Sequence, residues 1–73
     1  MENKNEYLTK FTNRLKELRK EHSLSQFEFA KKLEVNASTY ANWEQGRREP
    51  SISDIYNIII SLNITANDLF DID

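Results

Sequence analysis

The chain has no cysteine and, in 73 residues, only one glycine, one proline, one histidine and one tryptophan. Without cysteine it can build neither a disulfide framework nor a thiolate metal site. A lone histidine, His22, excludes a multi-histidine metal site and a Cys–His nucleophile pair. The sequence shows no nucleophile–base pair or metal-ligand set, so an enzyme is not expected, nor is any cofactor, metal or small-molecule ligand. No apolar run approaches a membrane span, and Met1-Glu2-Asn3-Lys4-Asn5 lacks signal-peptide architecture. The expectation is a soluble cytoplasmic protein with no membrane partner. Internal repeats and low-complexity segments are also absent. The length suits one domain, residues 1–73, with a loose N-terminus over 1–5.

Charge is unevenly spread. The net value of −2 argues mildly against a nucleic-acid partner. Yet all ten Lys and Arg lie within residues 1–50, together with eight of the twelve acids. The remaining segment, 51–73, carries four Asp and no base. Phosphate contact depends on local cations rather than on total charge, so a polar molecule with one more basic end is compatible with DNA. Small domains are often lopsided in charge, and this feature decides nothing alone.

With breakers only at Gly46 and Pro50, most of the chain can be helical. Phe11, Leu15 and Leu18 recur at i, i+4, i+7, which predicts a first helix from about Glu6 to His22 with one apolar face. Ser25 and Glu28 form a capping-box pattern, and Leu24 with Phe29 a hydrophobic staple, opening a second helix that ends near Leu33. Asn36 is placed to cap a third helix, stapled by Val35 and Tyr40 and running to about Gln45. Gly46 supplies the positive φ that ends it. Ser51 with Asp54 opens a fourth helix whose stripe is Ile55, Ile58, Ile59 and Leu62. Asn63 suits a left-handed cap there, and Thr65 with Asp68 opens a short fifth helix ending around Leu69 and Phe70.

Helices two and three are separated only by Glu34, Val35 and the cap residue Asn36. A turn this short makes them cross steeply, and Ala30 is small enough to let them approach. That is helix-turn-helix geometry over about residues 25–45, in which the second helix projects into the major groove. The exposed face of helix three, Ala37, Ser38, Ala41, Asn42 and Gln45, is small or polar and uncharged. Solvated faces usually carry Lys and Glu, as helix one does. Uncharged side chains can lie against base edges with little desolvation cost, and Asn42 could pair bidentately with adenine.

These residues carry a family resemblance. The ordered set Arg14-Leu15-Lys16-Glu17-Leu18-Arg19, Leu24-Ser25-Gln26, Ala30, Leu33, Val35, Ser38-Thr39, Trp43 through Pro50, Leu62, Ile64 and Leu69 resembles the phage Cro and repressor family. It runs over Phe11–Phe70. The resemblance implies an all-α, five-helix, lambda-repressor-like bundle with double-stranded DNA as partner. It also implies roles for individual residues. Gln26 matches the residue that binds a phosphate and braces the recognition helix, at a helix start where backbone N–H groups also favour phosphate. Ala37, Ser38, Thr39 and Asn42 occupy positions that read bases or adjacent phosphates, and Asn36 touches the backbone. Arg47 and Arg48 resemble a phosphate-clamping loop. Arg19 and Glu44 look like a structural ion pair joining helices one and three, while Trp43 is expected in the core.

The departures are Ser23, Glu34 and Asn63, which stand where relatives often place glycine. Asn tolerates the left-handed conformation, whereas Ser and Glu are strained there by about 1 kcal/mol each. Ala37 also lacks the polar group many relatives use; its methyl contacts a thymine methyl or the position is silent.

The function expected is a Cro- or repressor-like regulator of transcription that binds a pseudo-palindromic operator as a homodimer. Half-sites would then lie about 34 Å apart. Ile52, Tyr56, Ile60, Phe70 and Ile72 exceed what so small a core can bury, which marks residues 52–73 as a candidate dimer surface. The alternative is an antitoxin or antirepressor-type module whose acidic C-terminal end binds a protein partner.

Overall fold

A computed structural model describes residues 6–72; the segment 1–5, expected to be loose, lies outside the described residues. Five helices appear among them: α1 Glu6–Glu21, α2 Gln26–Lys32, α3 Ala37–Glu44, α4 Ile52–Leu62 and α5 Ala66–Phe70. No helix among the described residues is long and apolar enough to cross a membrane.

The helix starts follow the capping chemistry of the sequence. Ser25 Oγ accepts from the Glu28 backbone N–H at 3.1 Å, and the Glu28 carboxylate accepts from the Ser25 N–H at 2.9 Å. Ser51 and Asp54 form the same reciprocal pair at 3.0 and 2.8 Å, and Thr65 caps α5. Asn36 departs from expectation. Its backbone is in the N-cap conformation, but its side chain makes no capping bond. The staple residue Val35 packs against the core and sets this start instead.

The helix ends share one solution. Each helix is closed by paired bonds around a left-handed residue, as in Leu24 N–H to Arg19 O at 3.3 Å and Val35 N–H to Ala30 O at 3.0 Å. The left-handed residues are Ser23, Glu34, Gly46, Asn63 and Asp71, so only one of these turns uses glycine. Asp71 was not foreseen, because α5 is too short to show where its periodicity stops. Ser23→Gly and Glu34→Gly are each expected to stabilise the domain by about 1 kcal/mol. In a domain of this size that is a rise in melting temperature of roughly 4–8 °C, readable by circular dichroism.

The fully buried core is Phe11, Leu15, Leu18, Phe29, Ala30, Leu33, Tyr40, Trp43, Ile58 and Leu69. α1 is central, packing on α3 and α5, while α2 crosses α3. A run of aromatic contacts threads the helices together. Phe29 meets Tyr40 edge-on at 5.5 Å, Tyr40 meets Trp43 at 6.3 Å and Trp43 meets Phe11 at 6.0 Å. Such pairs add about 0.5–1.5 kcal/mol beyond area burial. On α4 only Ile58 is fully buried; Ile55, Ile59 and Leu62 are half-buried, since the five-residue α5 covers little of that helix.

Phe70 requires a correction. Expected on the outer apolar surface, it is half-buried, with its ring stacked on Phe11 at 5.8 Å. Its position directly after Leu69 lets α5 turn both side chains toward α1. Arg14 secures the same junction by donating from Nε to the Asp68 carbonyl at 2.8 Å.

Candidate nucleic-acid interface

The candidate reading surface begins with what holds α3 in place. Glu44, in its last turn, is only 3% exposed, so its carboxylate must be compensated. Arg19 Nε donates to Glu44 Oε2 at 2.7 Å and its second terminal nitrogen to Oε1 at 3.3 Å. The fork ties α1 to α3, and Arg19 also donates to the Leu24 carbonyl at 3.2 Å. Gln26 Nε2 donates to Glu44 Oε1 at 2.9 Å, and the buried Tyr40 hydroxyl donates to Oε2. Three helices therefore converge on one carboxylate.

Their electrostatics agree in sign. Burial pushes Glu44 toward its neutral form, but the hydrogen bonds from Arg19, Tyr40 and Gln26 outweigh it and hold its pKa below the ordinary range. The bond to Glu44 holds the Arg19 guanidinium more firmly charged. Burial first, then the Glu44 carboxylate, pushes the Tyr40 phenol upward, so it remains a donor. The ion pair between Arg19 and Glu44 is the one the family resemblance implies. The part of Tyr40 was missed, although it lies one helical turn before Glu44 on α3, the spacing at which side chains meet.

Gln26 thus braces α3, as the family resemblance implies, and stands exposed at the first position of α2. One amide hydrogen and the carbonyl oxygen remain available beyond the bond to Glu44. On α3, Ala37 and Ser38 are exposed, while Thr39, Ala41 and Asn42 are half-buried. Tyr40, Trp43 and Glu44 form the opposite, buried face. Asn36, released from capping, is exposed beside Ala37 and Ser38. The helix therefore divides: one side is buried in the core and the Glu44 network, the other is uncharged and either exposed or half-buried.

The turn after α3 adds the charge. Gly46, at φ +73°, closes the helix with its N–H to the Trp43 carbonyl at 3.1 Å, and Arg47 N–H reaches the Asn42 carbonyl at 2.9 Å. The residue in the position of Arg47 is apolar in the four other turns: Leu24, Val35, Ile64 and Ile72. Leu24, Val35 and Ile64 fold back onto the core, as the motif normally requires. Only after α3 is that position an exposed cation, followed by a second, Arg48. Thr12 Oγ1 donates to the Trp43 carbonyl at 3.0 Å, which fixes this end of α3 to α1. The neutral face of α3 and its cationic flank are thus held next to each other by hydrogen bonds to Trp43 and Asn42.

The remaining candidates lie elsewhere. Ile52, Tyr56, Ile60 and Ile72 are exposed, whereas Phe70 belongs with the core packing described above.

Comparison with known proteins agrees with this geometry. A family model described as helix-turn-helix matches residues 15–69. Control protein C.MunI of a Mycoplasma species is 37% identical over 67 residues, covering 90% of each chain. No solved structure matches the chain.

Proposed function

The chain belongs to the helix-turn-helix family of DNA-binding transcriptional regulators, and from that premise we propose that it binds a pseudo-palindromic operator as a homodimer, with α3 in the major groove. The observation that carries this reading is the division of α3 into a buried face and a neutral one that is exposed or half-buried. Ser38, Thr39 and Asn42 contact base edges or the phosphates beside them, and the Ala37 methyl packs on a thymine methyl. Asn36, Gln26, Arg47 and Arg48 contact phosphates and fix the register. A similar protein carries the name of a control protein, which suits a chain whose described residues form little beyond the DNA-reading unit.

Selection of bound duplexes from a random pool tests the proposal. The enriched sequences are expected to contain two inverted half-sites with centres about one helical turn, or a multiple of it, apart. Recovery of no common sequence would leave only phosphate binding and would overturn the operator reading.

A further inference from the structure

The solvent face of α1 is mixed in charge by composition, but its charges are sorted by side. Thr9, Asn13, Lys16 and Lys20 follow one another at i, i+4, i+7 and i+11, so they make one stripe along the helix. All four are exposed, and none is an acid. The acids of α1 lie on the far side and have partners there. Lys10 pairs with Glu6 at 3.9 Å, and Arg14 with Glu17 at 3.0 Å and with Glu21 at 3.9 Å. Glu17, three residues before Lys20, is thus turned to Arg14 instead. Neither Lys16 nor Lys20 has an ion-pair partner among the described residues. One helical turn apart, the two ammonium groups repel each other.

The stripe adjoins the candidate reading helix. Thr12, next to Thr9 and Lys16 on the helix surface, donates to the Trp43 carbonyl, and Arg19, next to Lys16, donates to Glu44. Both acceptors belong to the last turn of α3. Thr9 and Thr12 also face Gln45 and Gly46 across a notch of about 370 Å³, whose lining carries no charge. Gln45 is exposed one turn beyond Ala41, so it continues the neutral face of α3. The stripe therefore runs into that face through uncharged ground. We propose that Lys16 and Lys20 contact phosphates of the bound duplex, which makes this flank of α1 a second part of the DNA interface. The inference rests on the operator reading above for its partner and adds two cations outside the helix-turn-helix. A polyanion is the occupant that relieves two stacked ammonium groups, and the continuity with α3 makes that polyanion the same duplex. Lysine brings a point charge on a flexible stem, so these contacts add affinity without reading sequence.

Acetylation of lysines in the free protein and in its complex with duplex, located by mass spectrometry, tests the contact directly. Lys16 and Lys20 are expected to lose reactivity on binding, while Lys10, on the far side beside Glu6, labels at the same rate in both states. Lys16→Gln with Lys20→Gln is expected to lower the slope of log affinity against log salt by about 2 per chain, on operator and random duplex alike. Lys10→Gln is expected to leave that slope unchanged, and circular dichroism to show the same helical content in both variants. Undiminished labelling of Lys16 and Lys20, in a complex whose affinity still depends on Arg47 and Arg48, overturns the proposal and leaves the operator reading intact. Protection of both lysines by any duplex, in a chain that selects no operator, would defeat the operator reading while the contact stands.

Discussion

Replacing Arg19 with alanine is expected to destabilise the domain by roughly 3–5 kcal/mol, which would leave a domain this small largely unfolded at 37 °C. The cost does not measure the worth of one ion pair. Removing the guanidinium strands the Glu44 carboxylate, 3% exposed, with only Gln26 and Tyr40 as donors. It also deprives the Leu24 carbonyl of its side-chain partner. Urea denaturation of the variant against the parent measures the difference, and a loss below about 1 kcal/mol would show that the network is not a structural keystone. The same carboxylate sets an acid limit. Its pKa is depressed in the folded state relative to 4.5, so ionised Glu44 contributes stability that is fully present above that value. The contribution is lost as pH falls from 4.5 through the depressed pKa. Glu44→Gln is expected to flatten this acid limb, at a cost in stability at neutral pH.

The second large effect concerns DNA. Asn42→Ala is expected to reduce affinity for the selected operator by about ten- to a hundredfold, because a bidentate contact supplies about 1–3 kcal/mol of discrimination. Binding to random duplex is expected to stay the same. Arg47→Ala with Arg48→Ala should do the reverse, weakening operator and random duplex together. The double variant lowers the slope of log affinity against log salt by about 2 per chain, one unit for each phosphate contact removed. Fluorescence anisotropy across a salt series separates the two behaviours. Equal losses on both duplexes for Asn42→Ala would assign that residue to the backbone.

What could be read from the sequence was mostly local. The reciprocal caps of Ser25 with Glu28 and of Ser51 with Asp54 span three residues, and the chemistry of each is complete within its own turn. The left-handed positions Ser23, Glu34 and Asn63 were legible because helix lengths and family spacing fix where each turn falls. The Arg19–Glu44 contact joins residues 25 apart, and only the family pattern could connect them. Physical patterning missed what depends on register in three dimensions. Nothing in the five residues of α5 shows that Phe70 turns in to stack on Phe11 while Ile72 stays out. Asn36 is a good capping residue by composition, and only the packing of the turn shows its amide left free. The convergence of Gln26 and Tyr40 on Glu44 was open to inference from burial, since a buried carboxylate needs more donors than one arginine supplies.

Replacing single purines of the selected operator by their 7-deaza analogues probes most directly whether α3 reads the major groove. The substitution removes only the N7 acceptor on the major-groove edge and leaves base pairing intact. Binding is expected to fall at positions within each half-site, and sensitivity at one adenine per half-site is expected to vanish in Asn42→Ala. Undiminished binding at every substituted purine, with affinity still dependent on sequence, would place recognition outside the major groove and remove α3 as the reading helix.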